Sequence, residues 1–296
     1  MKQFTYSFTT TVEFSKPVTE HSFILRCLPS SRDNQEVWAE VKLDPAVPAT
    51  LQRDNFGNNL VIGYIAQKHD HFSYTSSGTV IMGGEKGQLP NTVASVDPGA
   101  LHSALVPGTF KAQLDANNSA PHPIFRFPSP LAKANDDMRA FACEVGVEKG
   151  TAPLDDPAAL QAGCVDLMHA IHQKFVYEPG KTTVSTTAAE AFDLGCGVCQ
   201  DFTHVMIALL REWGLPTRYV SGITAGHGTT HAWAQAYFGG AWHGYDPTRD
   251  QETGDDYLTC AIGRDWQDCP VERGTFRTTE ERAEQTQTIF MHMEEQ

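Results

Sequence analysis

The amino-acid sequence predicts an α+β protein, with an N-terminal β-sandwich domain followed by a domain in which a helix packs on an antiparallel sheet. In the first hundred or so residues, apolar and polar side chains alternate in short runs separated by turn residues, which is typical of half-buried strands. From Asn135 onward, apolar residues recur at helical spacing, and further strand-like runs follow. We assign 1–120 to the β-sandwich with a connecting segment, and 121–296 to the second domain.

The composition limits the possible functions. The chain has 296 residues, 41% hydrophobic and 20% charged, which suits a globular protein with a substantial core. Its formal net charge of -14, with no offsetting cluster of Lys and Arg, argues against nucleic acid as a partner. No apolar run approaches the roughly 20 residues that span a bilayer, so no membrane association is expected. The count of 7 cysteines is odd, so at least one thiol is free and a disulfide framework is not expected.

Alternation and turn chemistry define the N-terminal strands. Phe4, Tyr6 and Phe8 alternate with polar residues, so the N-terminus is interpreted as a first strand and not as a signal peptide. A cytoplasmic location is the expectation that follows. The segment 89–130 is rich in Pro, Gly, Asn and Ala and is interpreted as the connection between the domains. Further strand-like runs lie at 23–25, 37–43, 60–62 and 71–82.

Three helices are predicted in the second domain. Two candidates lie at 135–145 and 155–176. The clearest helix begins at Cys199, directly after a glycine-marked loop at 195–198, and the run 214–216 (Gly-Leu-Pro) ends it. Its apolar stripe consists of Phe202, Val205, Met206, Leu209, Leu210 and Trp213.

A predicted hairpin brings a histidine and an aspartate together. Strand-like runs follow the third helix at 217–223, 231–238 and 242–246. If Gly239-Gly240 forms a two-residue turn, residues 238 and 241 pair, and His231 and Asp246 share one face of the hairpin, one diagonal step apart. A three-residue turn would place them on opposite faces. The pairing therefore depends on an even turn.

Cys199, His231 and Asp246 form a candidate catalytic constellation. A thiol is a weak nucleophile at neutral pH, but a helix N-terminus favours the thiolate and a nearby histidine can hold the proton. The aspartate can orient the imidazole. Each residue alone is more commonly structural: a small buried thiol, a core-lining strand and a turn aspartate. Their compatible geometry favours a Cys-His-Asp nucleophilic site.

The neighbouring polar residues are weaker candidates. His204 lies roughly 140° around the helix from Cys199, so we expect a structural role for it. His227 lies in a Gly-Thr loop, and His243 lies on the other face of its strand. The backbone N–H of Cys199 is a natural oxyanion donor, and the second donor could be Tyr177 or Gln200.

Four motifs carry a family resemblance. The chain resembles the bacterial transglutaminase-like superfamily at Gly197–Phe202 (GVCQDF), Pro216–Gly222 (PTRYVSG), His231–Trp233 (HAW) and Tyr245–Thr248 (YDPT). The segments 21–27 and 54–58 are similar to the family's N-terminal β-domain. The resemblance implies a papain-like core with Cys199 as nucleophile, His231 as general base and acid, and Asp246 as the residue that orients it.

Cys196 departs from the family pattern, in which a basic or other non-thiol residue is usual. It creates a CxxC with Cys199, but a structural zinc site needs four ligands and the chain has no second CxxC. We therefore expect neither a metal nor a cofactor. One hypothesis is a reversible disulfide between the two thiols that silences the nucleophile; the alternative is an incidental thiol.

The predicted reaction is acyl transfer through a thioester on a peptide or carboxamide bond. We favour water as the acceptor, which predicts a cysteine peptidase or amidase that acts on a peptide or protein substrate. The alternatives are a transglutaminase that uses a lysine amine, a non-catalytic binding module of the same fold, and a thiol–disulfide oxidoreductase. The net charge could attract basic peptides, and specificity is expected from the loops at 224–230 and 182–189.

Overall fold

The computed structural model describes residues 1–83, 109–112, 123–278 and 283–296. The helices are α1 (Asp136–Glu144), α2 (Pro157–Lys174), α3 (Ala188–Leu194) and α4 (Cys199–Trp213). The strands are β1 (Lys2–Leu25), β2 (Gln35–Asp44), β3 (Ala49–Arg53), β4 (Asn59–Ile65), β5 (His69–Met82), β6 (Thr109–Ala112), β7 (Val176–Tyr177), β8 (Cys196–Gly197), β9 (Thr217–Thr224), β10 (Gly226–Gly228), β11 (His231–Phe238), β12 (Ala241–Asp246), β13 (Gln251–Glu252), β14 (Tyr257–Gly263), β15 (Glu272–Thr278) and β16 (Gln285–Glu295). None of the helices in these described ranges is long and apolar enough to cross a membrane.

Within the described residues, the first strand organises a nine-stranded antiparallel sheet. Residues 2–14 of β1 lie between β5 and β16, whereas residues 18–25 lie between β4 and β15. The register breaks between these two parts, and Glu20 has a φ of 48°. Alternate β1 side chains point into one apolar core that includes residues of β2, β4, β5 and β16. The sheet therefore curls around a single core. The sequence pattern predicts only the two ends of β1, because the run of threonines at 9–11 and Pro17 interrupt the apolar alternation.

The end of the chain returns to this first sheet. β15 and β16 both pair with β1, and β16 also pairs with β10. The predicted second domain, 121–296, includes residues 272–278 and 285–295, and these two strands lie in the sheet of the first domain. The backbone partner of a strand is set by long-range pairing, which local alternation does not encode. The predicted connection 89–130 and the boundary at residue 120 lie mostly or wholly outside the described residues.

The second domain is built around α4, as predicted. Nearly every side chain of this 15-residue helix is buried, because β9 and β11 cover one side and α1, α2 and α3 pack on the others. Gly214, at a φ of 125°, caps its end. The strands lie in the order β13-β12-β11-β9-β14. The helices and strands predicted between 135 and 246 are confirmed, while α3 and β14 carry no clear sequence signal.

The β11–β12 hairpin has the predicted register. Phe238 pairs with Ala241, and the ladder continues to Ala234 opposite Tyr245. Gly239 and Gly240 have φ values of 58° and 83°, which is the left-handed geometry of a two-residue type I′ turn. Residues with a Cβ rarely adopt two such conformations in succession, so this glycine pair fixes the even turn.

Side-chain amides of the first domain attach it to the free edge of β14. Asn58 Nδ2 donates to the Ile262 carbonyl at 2.7 Å, and its Oδ1 accepts from the Ile262 N–H at 2.8 Å. Gln35 forms the same reciprocal pair with Thr259, at 2.8 and 2.9 Å. Each amide therefore occupies hydrogen-bonding positions that a neighbouring strand would otherwise take, and the two sheets are joined through buried polar contacts.

Candidate active site

Cys199 is held at the start of α4 by the residues around it. The Asp201 carboxylate accepts from the backbone N–H of Val198 at 2.8 Å and from the Thr182 hydroxyl at 2.7 Å. A Cβ at Gly197 would lie 2.4 Å from this carboxylate, so the loop needs glycine there. The loop is thus tied to the first turn of the helix, with the half-buried Cys199 as its first helical residue.

His231 and Asp246 meet on the β11–β12 hairpin, whose strand β11 packs against α4. His231 Nε2 lies 2.6 Å from Asp246 Oδ2, and the carboxylate is fully buried. The Cys199 thiol lies beside the imidazole at the same cavity, where it helps to raise the pKa of His231. Because Nε2 faces the aspartate, Nδ1 is the nitrogen left for the thiol. The structure thus brings together the three residues that the sequence proposed, and the even turn places them as expected.

Asp246 has further partners that sequence reasoning missed. The Tyr257 hydroxyl donates to Oδ2 at 2.7 Å, and the backbone N–H groups of Thr248 and Arg249 donate to Oδ1 at 3.0 and 3.2 Å. Tyr257 accepts in turn from Gln251 Nε2 at 2.8 Å. Tyr257 comes from β14, on the far side of β9 from β11, so nothing local in the sequence places it beside Asp246.

The electrostatics favour a protonated His231. Burial alone would lower its pKa, but the hydrogen bond to Asp246 and the interaction with the neighbouring Cys199 thiol raise the pKa to about 9. At neutral pH the imidazolium therefore lies between a buried carboxylate and the thiol. Such an arrangement can hold a proton beside a thiolate and deliver it to a leaving group.

A cavity of about 360 Å³ opens over Cys199 and His231. One wall comes from the first sheet, because β10 pairs with Met291–Met293 of β16. There the His227 ring stacks on His292 with centroids 4.2 Å apart. The described residues that line the cavity are Tyr177, Cys199, Thr224, His227, Gly228, Thr229, Thr230, His231, Thr248, Arg249 and Met291.

The other histidines considered from the sequence differ in their burial and in their position relative to the cavity. His204 is fully buried and accepts from the Trp266 N–H at 3.1 Å, and burial lowers its pKa to about 4 despite the nearby Asp265. These contacts suit the structural role expected for it. The His243 ring stacks on Phe238 and does not line the cavity, whereas His227 does.

Tyr177 and Gln200, left open as the second oxyanion donor, have different surroundings. Tyr177 lines the cavity, whereas the Gln200 amide donates to the Val184 carbonyl at 3.3 Å. Cys196 is a free, half-buried thiol in β8, beside Val176, and its disulfide with Cys199 stays a prediction.

Known proteins resemble this chain over nearly its full length. Residues 147–247 match the transglutaminase-like superfamily, and residues 4–81 match the bacterial transglutaminase-like N-terminal region. Protein ML0607 of Mycobacterium leprae is 28% identical over 274 residues, which cover 89% of this chain and 89% of that protein. Protein Rv2569c of Mycobacterium tuberculosis is 30% identical over 260 residues, covering 81% of this chain and 76% of that protein.

A solved structure shares the whole architecture. The crystal structure of a protein from Cytophaga hutchinsonii, proposed to be a cysteine protease, covers 99% of this chain and 90% of its own, with a TM-score of 0.69 at 20% identity. The fold and the matched regions define a transglutaminase-like protein with an N-terminal β-rich domain, and they confirm the predicted fold class. The chain belongs to the transglutaminase-like superfamily.

Proposed function

We propose that this protein is an enzyme that hydrolyses peptide or carboxamide bonds through a thioester on Cys199. The observation that carries the proposal is the position of the His231 imidazole, which lines one cavity with the Cys199 thiol and lies 2.6 Å from the buried Asp246 carboxylate. A thiol, a base and an orienting carboxylate in this order are the parts that nucleophilic acyl transfer requires.

The proposed reaction has two halves. The Cys199 thiolate attacks the amide carbonyl, the C–N bond breaks, and His231 gives its proton to the departing amine, which leaves an acyl thioester. Water then attacks the thioester carbonyl while His231 accepts a proton from it. The C–S bond breaks, the carboxylic acid leaves and the thiolate–imidazolium pair is restored.

Two donors are proposed for the oxyanion that forms in each half. The backbone N–H of Cys199 lies at the start of α4, where it has no partner within the helix. Tyr177 lines the cavity, and burial together with the charge of Cys199 raises the pKa of its hydroxyl. The hydroxyl therefore keeps its proton and can donate it to the oxyanion.

Selective alkylation tests the thiol. Iodoacetamide near neutral pH should label Cys199 much faster than the exposed Cys143, which serves as an internal reference. His231→Ala should abolish the difference, whereas His243→Ala, a matched change outside the cavity, should preserve it. Equal labelling of the two thiols in the unmodified protein would count against the proposal and favour a binding module.

A peptide library read by mass spectrometry tests the acceptor. Hydrolysed products in the presence of a free lysine amine would support the proposal, and amine-linked products would replace it with a transglutaminase. Cys199→Ser supplies the blank, because it removes the thiol with little change of size.

A further inference from the structure

The cavity over Cys199 differs in charge from the rest of the molecule. The chain carries a formal net charge of -14. Among its described residues, however, the cavity is lined by Arg249 and two histidines and by no carboxyl group. Thr224, Thr229, Thr230 and Thr248 are also among the lining residues. A cavity lined by basic side chains and hydroxyl groups but by no carboxyl group is suited to a negatively charged group, even in an acidic protein.

Arg249 is fixed in position but keeps much of its hydrogen-bonding capacity. Its Nη2 donates to the Thr224 hydroxyl at 3.0 Å, and the guanidinium lies 5.8 Å from the centre of the Tyr257 ring. Nε is 3.9 Å from Asp246 Oδ2, which is too long for a hydrogen bond. Within the described part of the chain, no acceptor lies within hydrogen-bond distance of Nη1, and the side chain is 42% exposed.

The acidic residues near Arg249 are paired with other groups. Asp246 already receives hydrogen bonds from His231, Tyr257 and two backbone N–H groups. Asp250 hydrogen-bonds His169, and Glu252 accepts from Gln161. None of these carboxylates therefore takes up the free edge of the guanidinium.

We propose that Arg249 determines specificity by binding a carboxylate of the substrate beside the bond that Cys199 attacks. This inference rests on the proposed function. A guanidinium presents two parallel N–H donors that match a carboxylate, and a held, half-exposed Arg loses little conformational freedom on binding. The carboxylate could be an acidic side chain or a C-terminal α-carboxylate. The cavity thus favours anionic peptides, in contrast to the basic peptides that the net charge alone would attract.

Alkylation with two reagents of similar size tests the charge of the cavity. We define the anion ratio as the labelling rate of Cys199 with iodoacetate divided by the rate with iodoacetamide. Arg249→Gln should lower this ratio roughly fivefold, as expected for removing one partly screened charge that lines the same cavity as the thiol. Arg249→Lys should keep most of it. Arg277→Gln, which removes an exposed charge from β15, should leave it unchanged.

An unchanged ratio in Arg249→Gln would overturn the proposal. If neither labelling rate changed, the guanidinium would not attract anions. If both rates fell equally, Arg249 would act only through Asp246. The ratio can be measured even if the thiol is slow, so slow labelling with an Arg249-dependent ratio would count against the proposed function and support the anion site.

Paired peptides identify the source of the carboxylate. One pair of peptides carries Glu or Gln beside the scissile bond and tests an acidic side chain. The other pair ends, one residue beyond the scissile bond, in a free acid or an amide and tests a C-terminal carboxylate. We expect one acidic member to have a kcat/KM at least fivefold above its neutral partner, and Arg249→Gln to remove that preference. Equal kcat/KM values within both pairs would overturn the proposal.

Discussion

Asp246 is a fully buried carboxylate on which the geometry of the site depends. Removing a carboxylate from water costs several kcal/mol unless hydrogen bonds replace its hydration. Here His231, Tyr257 and two backbone N–H groups supply them. Together they fix the direction of the carboxylate, which in turn fixes the imidazole ring and favours its protonated form.

Asp246→Asn should move the alkaline limit of peptide hydrolysis. The amine leaves with a proton from the imidazolium, so kcat/KM should fall as pH rises through the His231 pKa of about 9. Asparagine removes a charge that raises this pKa, so the limit should shift to lower pH, with an overall loss of about a hundredfold or more. Profiles of kcat/KM from pH 6 to 10 measure both effects. Asp250→Asn, next to the site but paired with His169, is the control. An alkaline limit that stays near 9 in Asp246→Asn would contradict the role of Asp246 in raising the His231 pKa.

Tyr257→Phe should test the hydroxyl that holds Asp246. The ring still packs edge-on against Trp233, at 5.1 Å between centroids, while one hydrogen bond to the carboxylate is lost. A hydrogen bond to a charged group contributes about 1.5 kcal/mol or more, so kcat/KM should fall about tenfold with an unchanged fold by circular dichroism. Tyr237→Phe, on β11, removes a hydroxyl outside the cavity and should have no effect. Activity within twofold of the parent in Tyr257→Phe would mean that the two backbone donors suffice.

At the scale of elements, the sequence predicts what is local and misses what is distant. The glycine pair at 239–240 and the alternation around it predict the β11–β12 register, and hence the meeting of His231 with Asp246. The apolar stripe predicts α4. Tyr257 and Met291 reach the site on β14 and β16, whose partners are chosen by long-range pairing that no local period encodes.

Glu272 on β15 should make stability depend on pH. Burial raises its pKa to about 7, although a hydrogen bond from Gln287 at 3.2 Å opposes the shift. A carboxyl with a raised folded-state pKa contributes stability that is present below its unfolded pKa and lost as pH rises through about 7. Glu272→Gln should therefore raise the free energy of unfolding by about 1–3 kcal/mol at pH 8 and change it little at pH 5. Urea unfolding at both pH values measures this free energy, with Glu284→Gln at an exposed position as control. If Glu272→Gln changed the free energy of unfolding equally at both pH values, titration of Glu272 would be excluded as the cause.

At the scale of the whole molecule, the two sheets form the cavity jointly. β16 supplies Met291 and pairs with the loop strand β10, so the first domain contributes a wall of the site. A buried ion pair between Arg218 of β9 and Asp33 of the first domain adds to the amide contacts on β14. A substrate in the cavity therefore contacts the first domain as well as the core that carries Cys199.

The fragment 121–296 should consequently fail to fold alone. Without β1, β15 loses its main-chain partner and β16 keeps only its short pairing with β10. Met291 and Met293 lose most of the apolar core in which they are buried. Unpaired strands with exposed apolar faces aggregate. We expect insoluble protein or a non-cooperative thermal transition from the isolated fragment. Co-expression with 1–120 should restore a cooperative transition and the rapid labelling of Cys199, because the missing strand is then supplied in trans. The expectation would be wrong if the fragment were soluble, melted cooperatively and had its Cys199 labelled at the rate of the full chain. The second domain would then be autonomous, and the first sheet would only shape substrate binding.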